Sequence, residues 1–193
     1  MEYEAIKKWV TGFGLIFIVS SIIELINTIL ILNTQVKFKG KTYTVQELFF
    51  SSGRVPPTTP FIFVFLVCSI CCFLIFGFLL IKIVSKDIDF KLMAKYLLVL
   101  GVLTLLFSYI KLGYITYLER SKVNLNGEAI TFGYFLWKYN TSVIGPYSLL
   151  VSWTFYTATV CAYLIIGLVL SGGGLSWILE LAKQQPKEDK KTR

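Results

Sequence analysis

Apolar residues in this chain gather into four runs, about Val10 to Leu32, Pro60 to Val84, Leu92 to Leu118 and Tyr147 to Leu170. Each is near or above the roughly 20 residues that a helix needs to cross a bilayer. After the first and third runs the pattern changes from continuous to alternating. VKFKGKTYTVQELFF (36–50) and VNLNGEAITFGYFLW (123–137) interleave apolar and polar positions and break at a glycine, the period-two signal of a hairpin. Asn126 and Gly127 form a strong two-residue turn signal, and Gly40 marks the corresponding turn of the first stretch.

The two hairpins align residue for residue when the chain is shifted by 87 positions: Val36 meets Val123, Gly40 meets Gly127 and Thr44 meets Thr131. The same shift sets Gly14 on Gly101 and Ser21 on Ser108, and a shift of 90 sets Pro56, Cys71 and Gly77 on Pro146, Cys161 and Gly167. The expected fold class is an all-α membrane bundle of four transmembrane helices with an extracytoplasmic β-sheet formed by the two hairpins pairing edge to edge. It is a tandem repeat of helix, hairpin, helix. Residues 1–90 form the first copy, 91–171 the second, and 172–193 a cytoplasmic amphipathic helix and charged tail. Two spans per copy keep both copies in one orientation, as in parallel-repeat transporters.

Gly172 to Gly174 read as a flexible joint, and LSWILELAKQQ after it as a helix on the membrane surface that ends at Pro186. The first run follows Lys7 and Lys8 as a signal sequence would, but its length and lack of a small-residue cleavage pattern favour a retained anchor.

Charge sets the expected orientation. The termini and the turn between the second and third runs carry eleven Lys and Arg, the two longer loops carry seven, and Lys111 completes the 19 of the chain. The bias favours cytoplasmic termini in the cell membrane, and the formal charge of +8 becomes a topology signal rather than a nucleic-acid one. The basic tail suits anionic lipid. In outline the layout is similar to that of claudin-like tetraspan proteins, at the level of topology alone. That family's paired external cysteines have no counterpart, since all four cysteines lie in spans.

Glu24 and Lys111 are the ionisable residues well inside the spans, and their numbers differ by 87. The repeat therefore puts an acid and a base at equivalent depth on two helices running the same way. A lone charge at such depth costs roughly 2.5–3.5 kcal/mol on insertion scales, which favours an intramembrane ion pair; snorkelling to the surface is the alternative. Cys68, Cys71 and Cys72 share a helical face, with Cys161 at the repeat equivalent of Cys71, and read as packing residues rather than a metal site. The chain has no histidine, which removes Ser-His-Asp and Cys-His nucleophile systems and His-ligated haem. No catalytic, cofactor or metal site is expected. Glu47, Glu119, Glu128, Asp87 and Asp89 fall in loops without paired spacing. Asn140, Thr141 and Ser142 match a glycosylation acceptor in an external loop.

These features point to a non-enzymatic accessory or scaffold subunit whose partners are other membrane protein subunits and the lipid bilayer, with a homo-oligomer allowed. Gly12, Gly14, Gly77, Gly101 and Gly167 would permit close helix contact. The alternative is a small transporter or channel that uses the Glu24–Lys111 pair.

Overall fold

The computed structural model describes residues 3–50, 53–86, 89–125, 127–134 and 149–188. Four long helices dominate: α1 (Tyr3–Asn33), α3 (Thr58–Ser85), α4 (Phe90–Arg120) and α5 (Leu149–Glu188). All are long and apolar enough to cross a membrane. Pro60 enters α3 in its first turn, where a missing N–H costs nothing. A six-residue helix, α2 (Val45–Phe50), follows strands β1 (Gln35–Phe38) and β2 (Lys41–Thr44). After α4 come β3 (Lys122–Leu125) and β4 (Glu128–Thr131). The bounds of α1, β1 and β2 become those of α4, β3 and β4 when 87 is added to every residue number.

The hairpins have the same register: Val36 faces Tyr43 in one and Val123 faces Ile130 in the other. Lys39 and Gly40 both have positive φ, 47° and 80°, which makes the two-residue type I′ turn whose twist suits paired strands. Gly127 has φ 83°; Asn126 beside it lies outside the described residues. Burial follows the alternation, with Val36, Phe38, Val123 and Leu125 inside. Thr44 and Glu47 form a capping box on α2: the Glu47 N–H donates to Thr44 Oγ1 (3.1 Å) and the Thr44 N–H donates to Glu47 Oε2 (3.0 Å). Thr131 accepts the Tyr134 N–H in the same way at 3.3 Å.

The single four-stranded sheet expected from the sequence does not form. The strands make two separate two-stranded sheets. On β3, the Asn124 N–H that an added strand would need instead donates to the Arg54 carbonyl at 2.6 Å. Segment 53–57, which leads into α3, therefore satisfies the edge. Between the hairpins, Lys39 and Glu128 form an ion pair through their side chains.

The glycine joint is likewise absent. Helix α5 runs unbroken through Gly172, Gly173 and Gly174 and on past Pro186 to Glu188, so no separate surface helix forms. Gly174 explains part of this: a Cβ there would lie 2.6 Å from the backbone N of Leu98, so bare backbone lets α5 pack directly on α4. Packing overrides the modest helix penalty of glycine. Pro186 lies in the last turn of α5, where a proline costs the helix one N–H donor.

Contacts divide the chain into two compact units. The first comprises Met1–Val19, Phe73–Ser108 and Cys161–Arg193. Its core holds Phe17, Phe73, Phe76, Leu80, Met93, Leu97, Tyr163 and Leu170. Phe73 stacks on Tyr163 at 4.2 Å between ring centroids and on Phe17 at 5.9 Å. Gly14 and Gly77 let α1 and α3 touch: a Cβ on Gly77 would sit 2.7 Å from the Gly14 carbonyl oxygen. Gly101 abuts the backbone of Ser171, where a Cβ would come within 2.8 Å of Cα. By contrast, Gly12 has no atom within 4 Å of a Cβ position and makes no such approach.

The second unit comprises Ser20–Cys72 and Tyr109–Val160 and contains both hairpins. Phe49, Phe63, Phe132, Trp153 and Tyr156 form an aromatic chain, with Phe49 and Phe132 4.7 Å apart and Phe132 and Trp153 5.4 Å apart. The Trp153 indole N–H donates to Glu119 at 2.9 Å, which gives this carboxylate, expected in a loop but found in the last turn of α4, a fixed structural partner.

Candidate functional site

Within the second unit, three long helices send polar side chains to one point. Helix α1 supplies Ser21, Glu24 and Thr28, all buried, at spacings of three and four that hold them on one stripe. Helix α4 supplies Lys111 and α5 supplies Tyr156 and Thr159. Glu24 and Lys111 form an ion pair in which neither side chain has any exposure. Thr159 joins them: its hydroxyl donates to Glu24 and accepts from Lys111 Nζ at 3.2 Å. The Lys111 ammonium also lies 5.9 Å from the Tyr156 ring centroid, a cation over an aromatic face. Tyr156 and Thr28 hydroxyls are 2.5 Å apart, and Thr28 donates to the Glu24 carbonyl at 2.8 Å, which closes the ring of contacts on α1.

Electrostatically the knot is a matched set. Burying an ion pair is expensive unless the geometry is good and the remaining protons and lone pairs find partners. Here Thr159 serves both charges, and the Tyr156 face shields the ammonium. The arrangement ties three helices together at one depth and has no net charge. As chemistry it offers a carboxylate and an amine already engaged with each other and with a hydroxyl.

The sequence singled out Glu24 and Lys111, and the structure brings them together. It did not single out Thr159, Tyr156 or Thr28. Their signal was present as polar residues within apolar runs, but Thr and Tyr are common in spans and nothing marked these three until the helices were packed. Gly40 and Gly127 sit in hairpin turns, whereas Asn140 lies outside the described residues. Cys68, Cys71 and Cys161 are exposed on helix surfaces and Cys72 is half-buried. Three of the four therefore face outward rather than filling the core. Among the described residues no group of three or more His, Cys, Asp or Glu is placed to hold a metal ion.

A second feature belongs to the first unit. Ile6, Trp9, Val10, Phe13, Leu97, Val169, Leu170, Gly173 and Trp177 line an apolar groove of about 380 Å³. Comparison with known families, characterised proteins and solved structures gives no match.

Proposed function

We propose that this chain is an integral membrane protein that spans the bilayer four times with both termini cytoplasmic, and that it serves without catalysis as an accessory or scaffold subunit of a complex in the cell membrane. The observation that carries the reading is the enclosure of Glu24 and Lys111. The two charges well inside the long helices, Glu24 and Lys111, are spent on each other and on a hydroxyl, while much of the outward surface is apolar. Phe61 is 67% exposed and Leu168 62%, and at most 39% of the most apolar window in any long helix is buried within the chain. In water so much apolar surface would drive association. In hydrocarbon it is the matched surface, and the continuous helices satisfy their own backbone groups.

The 87-residue offset of α1, β1 and β2 from α4, β3 and β4 supports descent from one duplicated helix–hairpin–helix unit. On that reading Glu24 and Lys111 are equivalent positions that diverged to opposite charge and now lock the copies in register, the best-attested use of buried polar groups. The hairpins, with half-exposed Lys39 and Glu128 at their turns, offer polar surface to a partner.

Isolation of the tagged chain from its own membrane in mild detergent, followed by mass measurement, tests the reading. A stoichiometric assembly with another membrane protein or with further copies is expected. A strict monomer that co-isolates with nothing rejects it.

Transport is the second reading, favoured by the buried polar row Ser21, Glu24, Asn27 and Thr28 on α1. Liposome flux that is unchanged by Glu24→Gln and by Lys111→Met removes its support.

A further inference from the structure

The apolar groove of the first unit shares part of its wall with a recess that carries a cation. Trp9 and Phe13 are the shared residues, and Lys8, Gly12 and Ile16 also line this shallower recess of about 200 Å³. The groove wall offers aliphatic and aromatic groups from α1, α4 and α5, and the recess offers an exposed ammonium on the second turn of α1. We propose that the groove and recess bind one anionic phospholipid, with an acyl chain in the groove and the phosphate on Lys8. The inference rests on the membrane reading above.

Lining and charge select this occupant. The groove walls are aliphatic and aromatic, which suits an acyl chain, and the adjoining recess carries a cation, which suits a phosphate. Gly173 lines the groove, and its absent side chain leaves space that a larger residue would enter. Lys8 beside aromatic Trp9 is the arrangement expected where a chain meets the headgroup layer, and a lysine there attracts anionic rather than zwitterionic lipid by about 1 kcal/mol. That difference corresponds to a five- to sixfold preference.

Two substitutions separate the parts. A Cβ on Gly173 would meet only the Trp177 ring edge, at 3.9 Å, so Gly173→Leu occupies the groove without a backbone clash and improves helix propensity. Lys8→Gln removes the charge and leaves the groove intact. The full chain, purified in neutral detergent, is mixed with equal amounts of phosphatidylglycerol and phosphatidylcholine and weighed by native mass spectrometry. One lipid per chain is expected, with phosphatidylglycerol about fivefold over phosphatidylcholine. Gly173→Leu should lose both lipids while its thermal unfolding is no lower than that of the parent, and Lys8→Gln should bring the two lipids near parity. No retained lipid, retention that survives Gly173→Leu, or a preference that survives Lys8→Gln overturns the proposal. Alkaline washing of the source membranes scores insertion separately: a chain that stays with the membrane yet carries no lipid defeats this inference alone, and a chain washed free defeats both.

Discussion

The two compact units solve the same packing problem by different means. In the first, shape does the work: Gly14 on Gly77, Gly101 on Ser171 and Gly174 on Leu98 bring backbones together, and Phe17, Phe73 and Tyr163 fill the space beside them. In the second, a directional polar contact joins three helices at Glu24, Lys111 and Thr159. Apolar side chains gain little from helix contact where the surroundings are equally apolar, so association there relies on close van der Waals fit or on hydrogen bonds. Each unit relies chiefly on one of those two devices. The difference also bears on what each tolerates, because a packed glycine fails through added volume and an ion pair fails through loss of one member.

The sharpest way to break the contrast is to remove one charge. Lys111→Met leaves Glu24 buried beside Thr159 without its counter-charge, and such a loss costs roughly 3–5 kcal/mol. Denaturant titration in detergent should show it. The double variant Glu24→Gln with Lys111→Met should recover most of that stability, since a neutral pair carries no uncompensated charge. A double variant as unstable as the single one would mean that the ion pair is not what holds these helices.

Adding volume to the first unit comes next. Gly101→Val drives a side chain into the Ser171 backbone, which cannot move out of the way as a side-chain tip could. Overpacking of this kind costs about 1–3 kcal/mol. Gly12→Val, at a glycine with open space around it, is the matched control and should cost little. If the two variants unfold at the same denaturant concentration, close backbone approach is not what orders this unit.

The smallest expected effect lies at the hairpin turns. Lys39 and Glu128 are 52% and 53% exposed, and exposed pairs contribute about 0–1 kcal/mol. Lys39→Ala should leave unfolding almost unchanged, and added salt should erase what difference there is. A larger loss would show that the ion pair, rather than the Asn124 to Arg54 backbone bond, organises the hairpins.

Much of this was legible in the chain. Four apolar runs gave four helices whose ends differ from the expected spans by one to eighteen residues, with the largest difference at α5. The alternation around Gly40 and Gly127 gave both hairpins with their registers, because side-chain period and turn chemistry act locally. Two expectations failed for one reason: each took a local property as decisive where a distant contact competes. Three consecutive glycines are locally flexible, yet Gly174 is held helical by its fit on Leu98. A strand edge locally invites a strand, yet Arg54 reached Asn124 first.

The sequence by itself determined the hairpins and most of the helices, since apolar period and turn residues are properties of neighbours along the chain, and the 87-residue offset repeats them. It also placed Glu24 and Lys111 at matching positions, and so supplied a reason for them to meet. Only the tertiary structure decided that Thr159 and Tyr156 complete the knot, that the hairpins remain separate sheets, and that a groove shares part of its wall with the recess at Lys8. Those outcomes depend on which faces of distant helices come together, and each helix has many apolar faces of nearly equal energy. Shape and a few hydrogen bonds choose among them, and neither exists until the chain has packed.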